Sequence, residues 1–122
     1  MEMMIRDERE LWKAVKALKG KVLKTYVGQS RNEIVEVEDT GKADDRVIIK
    51  DRKTSPTRED IVGAYTKLIK KGKLTRKDDL DWLASQSKQV SSIVFRIVGE
   101  VMRDWIVLER KPKLVLILRR RT

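Results

Sequence analysis

The stretch Lys88-Gln89-Val90-Ser91-Ser92-Ile93-Val94-Phe95-Arg96-Ile97-Val98-Gly99-Glu100-Val101 decides how the rest of the chain is read. Val90, Ile93, Val94, Ile97, Val98 and Val101 recur at i, i+3, i+4, i+7 without a gap, which predicts an amphipathic helix of about four turns over 88–102. With that stripe turned inward, a rotation of about 100° per residue puts Lys88, Ser92, Arg96, Gly99 and Arg103 on the opposite face. Gln89 and Phe95 flank that face.

Upstream, Ser85-Gln86-Ser87 interrupts the pattern. A short helix carrying Leu80, Leu83 and Ala84 is expected before it, opened by Thr75-Arg76-Lys77-Asp78. That tetrad repeats the capping-box pattern of Thr57-Arg58-Glu59-Asp60, which starts a helix with Ile61, Tyr65, Leu68 and Ile69 on one stripe and Lys70-Lys71-Gly72 at its end. Downstream, Trp105–Glu109 and Leu114–Leu118 are two strand-like runs around Arg110-Lys111-Pro112-Lys113, a hairpin with a basic tip, followed by Arg119-Arg120-Arg121.

The first part of the chain has a different rhythm. Residues 7–19 form an amphipathic helix with Leu11, Trp12, Val15 and Leu18 at helical spacing, acids in its first turn and lysines in its last. Val22–Val27, Glu33–Glu38 and Arg46–Lys50 are β-rich runs separated by Gly-, Asn- and Asp-containing turns, so an antiparallel meander is expected. Asp51–Pro56 is the break between the two parts. The division is 1–53, a helix plus small meander acting as scaffold or dimerisation lobe, and 54–122, a nucleic-acid-binding lobe. The fold class is α+β.

Charge divides at the same place. The 122 residues hold 29 Lys+Arg and 19 Asp+Glu, a net charge of +10. Residues 1–49 contain 10 basic and 10 acidic residues, whereas 50–122 contain 19 and 9, so the whole excess lies in the second part. A neutral segment joined to a strongly basic one points to a polyanionic partner for the latter.

The run Leu83-Ala84-Ser85-Gln86-Ser87-Lys88-Gln89-Val90-Ser91-Ser92-Ile93-Val94, with the helices before it and the basic-tipped hairpin after it, resembles the winged helix-turn-helix superfamily over about residues 56–119. In such domains a strand often lies between the first two helices, and Gly72-Lys73-Leu74 is barely long enough for one. The resemblance implies a DNA-binding domain whose helix 88–102 enters the major groove. A fainter similarity links the preceding helix and strands to accessory units of modular restriction systems.

The residue types suit that chemistry. Gln89, Ser92 and Arg96 can address base edges, Arg by a bidentate pair to guanine and Gln to adenine. Phe95 is read as edge-of-core or interface in preference to a thymine-methyl contact. Arg76, Lys77, Lys88, Arg103, Arg110, Lys111, Lys113, Arg119, Arg120 and Arg121 are candidate phosphate contacts. The cations around Leu114–Leu118 also act as gatekeepers of an aggregation-prone strand. Gly99 permits close approach of a phosphate backbone or a partner.

Enzyme readings find little support. With no cysteine and no histidine, thiolate nucleophiles, Cys/His zinc sites and imidazole triads are excluded. Glu36, Glu38, Asp39, Asp44 and Asp45 form the one acidic cluster, read as a solvated strand edge and turn in preference to a Mg²⁺ site. Ile48 stands where a nuclease-type Asp/Glu-x-Lys motif ending at Lys50 needs an acid, and no phosphate-cradling glycine loop is present. No cofactor is expected. Trp12, Trp82 and Trp105 are read as packing residues.

The expectation is thus a non-enzymatic, double-stranded-DNA-binding protein, most simply a transcriptional regulator acting as a homodimer, with RNA not excluded as a ligand. The alternatives are a DNA-targeting accessory module of a restriction or mobile-element system and a winged-helix protein–protein adaptor. The start of the chain lacks a signal-peptide core and no apolar run is of bilayer length, so a soluble, cytoplasmic protein without membrane contact is expected.

Overall fold

A computed structural model of the chain describes residues 7–53, 55–80, 88–111 and 113–119, without the side chains of Lys77, Asp78, Lys88 and Gln89. The elements run α1 (Glu8–Lys16), β1 (Val22–Lys24), β2 (Arg31–Val37), β3 (Val47–Ile49), α2 (Arg58–Lys71), β4 (Lys73–Thr75), α3 (Arg76–Asp79), α4 (Lys88–Val101), β5 (Ile106–Glu109) and β6 (Val115–Leu118). The fold is mixed α+β with two small antiparallel sheets, ordered β1-β2-β3 and β4-β6-β5.

Local chemistry sets the helix ends. Asp7 caps α1 by accepting from the Glu10 N–H at 2.9 Å. At the start of α2 the expected capping box is present: Thr57 Oγ1 accepts from the Asp60 N–H, and the Asp60 carboxylate accepts from the Thr57 N–H. Gly72 ends α2 at φ 76°, a left-handed conformation that glycine adopts without Cβ strain.

The expected meander forms, with β1 shorter than its β-rich run. Pairing stops at Lys24 because the next residues close a turn on themselves: the Thr25 N–H donates to Ser30 O, and the Thr25 hydroxyl bridges Val27 O and the Ser30 N–H. A register shift between Ile34 and Glu36 leaves Val35 and Glu36 both outward-facing.

Two local expectations are corrected. Lys73–Thr75 does form a strand, because β6 supplies a partner: Lys73, Leu74 and Thr75 pair with Ile117, Leu116 and Val115. Thr75, in contrast, makes no side-chain cap to α3. The buried Asp79 carboxylate takes the Thr75 N–H at 2.7 Å and pairs with Lys71 instead, while Lys67 donates to Asp79 O. The expected positions Leu83 and Ala84 of the short helix, the Ser85-Gln86-Ser87 interruption and Trp82 lie outside the described residues.

One hydrophobic cluster runs through both parts of the chain. Leu11, Trp12, Val15 and Leu18 are buried in it, with α1 against α2 and α4, so this stripe is consumed within the chain and is not left for a second copy. Helix α4 is the centre: it touches α1, α2, α3 and β1. Beyond the expected stripe, Ser91, Phe95 and Gly99 are buried too, the condition of a helix apolar nearly all round.

The two parts are held together at Arg58, the first residue of α2, whose side chain is 10% exposed. Its guanidinium meets Glu8 at 2.9 Å, Asp39 at 3.3 Å and Asp45 at 3.4 Å, and its centre lies 5.0 Å from the Trp12 ring. The Arg58 N–H also donates to Asp45 O at 2.6 Å, and Trp12 Nε1 donates to Glu38 O at 2.8 Å.

Two predictions follow from this junction. Arg58→Ala leaves the Asp45 carboxylate buried without its cation and should cost about 3 kcal/mol or more in denaturant unfolding, whereas Arg46→Ala, at a half-exposed pair, should leave the midpoint nearly unchanged. Acid should act through the same place. The Thr40 hydroxyl and the N–H groups of Thr40, Gly41 and Lys42 hold the Asp45 carboxyl below the ordinary aspartate value. A lowered folded value stabilises fully above the unfolded value of about 3.9 and is lost as pH falls through the folded one. The thermal midpoint should therefore stay flat between about pH 7 and 5 and drop below about pH 4, with a shallower acid limb in Asp45→Asn.

Candidate nucleic-acid interface

The predicted site residues separate into three groups. The first is the hairpin β5–β6. Arg110, Lys111 and Lys113 lie exposed at its tip, and Arg119 lies exposed at its base, where the Arg119 N–H donates to Trp105 O at 2.7 Å. Five residues lie between Lys113 and Arg119, so six steps of extended chain separate them, roughly 20 Å at about 3.3 Å per step. Arg120 and Arg121 lie outside the described residues, as does Pro112 of the tip.

The second group is the start of α4. Arg76 Nη1 donates to Ser92 Oγ at 3.4 Å, so one predicted phosphate contact and one predicted base contact are neighbours on facing helices. The side chains of Lys77, Lys88 and Gln89 lie outside the described set.

The third group departs from the expected solvated face. Arg96 is only 18% exposed. Its Nε donates to Lys24 O at 2.7 Å, its Nη1 meets Glu100 at 2.9 Å, and its guanidinium stacks 4.9 Å from the Tyr26 ring. Gly99 does admit a close approach, but by Tyr26: a Cβ there would sit 2.0 Å from the Tyr26 hydroxyl oxygen. Phe95 is 1% exposed and meets Tyr26 edge-on at 5.8 Å, so it is core and no thymine-methyl contact is open to it. Arg103 remains 73% exposed, 3.6 Å from Glu100. The physical reason is that the β1–β2 turn lies across the middle of α4, a placement that no local pattern in either segment encodes.

Tyr26 is the residue that sequence reasoning missed. Its ring touches Phe95, Arg96 and Gly99, and its carbonyl accepts from Arg110 at 3.0 Å, so helix, turn and hairpin tip meet there. Burial pushes its phenol above the ordinary value, partly offset by Arg96, so it stays a neutral hydroxyl at neutral pH. The available signal was Gly99 itself, since a glycine in a helix interior costs about 1 kcal/mol against alanine unless something must come close.

Four of the five acids of the cluster meet cations. Glu36 meets Lys19 at 3.1 Å, Glu38 meets Arg46 at 3.1 Å, Asp39 meets Lys16 at 2.8 Å, and Asp45 faces inward to Arg58. Among the described residues no group of three or more acids is placed to hold a metal ion. An open groove of about 520 Å³ beside α1 is lined by Arg9, Glu10, Trp12, Lys13, Lys16, Asp39 and Arg58, and Lys16 and Arg58 are already engaged by carboxylates. Among the described residues no helix is long and apolar enough to cross a membrane. Neither a family model, nor a curated protein, nor a solved structure matches this chain.

Proposed function

We propose that this chain binds double-stranded DNA without catalysing a reaction on it, most simply as a transcriptional regulator. The observation that carries the reading is the segregation of charge into the second part of the chain, with exposed cations at both ends of its hairpin. All of the net +10 lies in 50–122, and Arg110, Lys111, Lys113 and Arg119 are exposed at the two ends of β5–β6. Exposed cations spaced along a short hairpin suit successive phosphates, which position a protein on a duplex without reading it.

The order α2-β4-α3-α4-β5-β6, with β4 paired to β6, supports the resemblance to winged helix-turn-helix domains. On this reading the start of α4, with Ser92 and Arg76, faces the duplex. Reading helices commonly use their N-terminal residues for base contacts. The adaptor alternative called for an apolar patch around Phe95, and Phe95 is buried. A homodimer would need a surface other than the α1 stripe, which is also buried.

Fluorescence anisotropy of a labelled duplex across a salt series tests the reading. Four to six phosphate contacts give a log–log slope of about −4 to −5, and each of Lys111→Ala, Lys113→Ala and Arg119→Ala should reduce its magnitude by about 1 while lowering affinity for all sequences alike. A slope near zero overturns the proposal. An unlabelled RNA duplex that competes as well as DNA shifts the ligand to RNA.

A further inference from the structure

The β1–β2 turn touches the candidate interface at two arginines. Its Lys24 carbonyl and Tyr26 ring hold Arg96, and its Tyr26 carbonyl holds Arg110. Both side chains are of the kind that bind phosphate bidentately, and here both face the turn. We propose that this turn is an autoinhibitory latch: Tyr26 keeps Arg96 from a duplex until phosphates displace it. The inference rests on the DNA-binding reading above and adds a regulatory element to the same surface.

The turn is built to move as a unit. Thr25 and Ser30 staple it internally, so its shape does not depend on α4. It joins β1, a three-residue strand at the edge of its sheet, to β2, the central strand. Its tip stands clear of the core, with Val27 64% exposed. Leu23, Thr25 and Asn32 anchor its base, and a turn beyond such a base opens at lower free energy than the fold as a whole.

The exchange of partners favours a polyanion. Apart from Glu100, the partners of Arg96 are a neutral carbonyl and a ring face, and Arg110 meets a neutral carbonyl. Phosphate offers arginine two parallel N–H···O contacts between opposite charges, which a single neutral carbonyl cannot supply. In the absence of a duplex the latch closes because opening it bares Phe95 and leaves a gap over Gly99.

Two substitutions open the latch by different routes. Tyr26→Ala removes the ring. Gly99→Ala removes no group and favours the helix, but its Cβ would fall 2.0 Å from the Tyr26 oxygen, so the ring has to leave. Anisotropy with a labelled duplex of about 20 base pairs is measured for the unaltered chain, both variants, and Tyr26→Ala combined with Arg96→Ala. Both single variants should bind about three- to tenfold tighter, the factor by which the closed turn dilutes the competent state. Adding Arg96→Ala should abolish the gain, and in the unaltered chain duplex should speed amide hydrogen exchange over residues 24–27. Equal or weaker binding by Gly99→Ala, with circular dichroism unchanged, overturns the latch and leaves the DNA reading standing. Absence of duplex binding by every form overturns the DNA reading and the latch with it.

Discussion

Everything in this fold leans on the guanidinium of Arg58. A cation that is nine-tenths withdrawn from water is costly to bury, and it persists because three carboxylates surround it: Glu8 of α1, and Asp39 and Asp45 of the β2–β3 connection. The planar fork lets one side chain bind in several directions while its face lies toward Trp12. A lysine could supply the charge but not that geometry. Since Arg58 begins α2, the arrangement fixes α1, the meander and the second half of the chain in one mutual orientation. Among the described residues every buried side-chain polar atom has a hydrogen-bond partner, which is what such a junction requires.

The same principle explains why charge distributes as it does. In the first part bases and acids are equal in number and are used against one another, in Lys16–Asp39, Lys19–Glu36 and Arg46–Glu38. These exposed pairs add little stability. They do neutralise that half of the surface. In the second part acids are scarcer: Asp79 is spent inside on the Thr75 N–H and Lys71, and Glu100 on Arg96 and Arg103, while Asp51, Glu59, Asp104 and Glu109 are exposed. Arg110, Lys111, Lys113 and Arg119 of the hairpin are exposed, where a polyanion can reach them. Pairing in one half and its shortage in the other produce the basic surface; total charge alone does not.

Helix α4 carries two demands that compete for its surface. As the centre of the core it presents apolar atoms to α1, α2 and α3, and as a helix beside a basic hairpin it carries Ser92 and Arg96, with Arg103 just past its end. The chain reconciles them along the helix axis. Near its start Ser92 meets Arg76, in the middle Arg96 and Gly99 are covered by Tyr26, and beyond its end Arg103 is in water. A helix apolar almost all round keeps only a narrow polar strip, and a single tyrosine suffices to cover its middle.

Features that depend on near neighbours in sequence were legible in it. The capping box at Thr57, the glycine stop at Gly72, the stripe of α4, the meander and the basic hairpin rest on periodicities and turn residues within a few positions of one another. The sequence also determined which half carries the charge and that imidazole and thiol chemistry are absent. Three-dimensional packing alone decided the rest. Lys73–Thr75 is a strand because β6, some forty residues later, offers its edge. Arg58 is a junction because Glu8 and Asp45 converge on it from separate elements. Arg96 lies under a turn that is 70 residues distant in the chain, since helical periodicity defines which residues share a face and cannot say which element lies against that face.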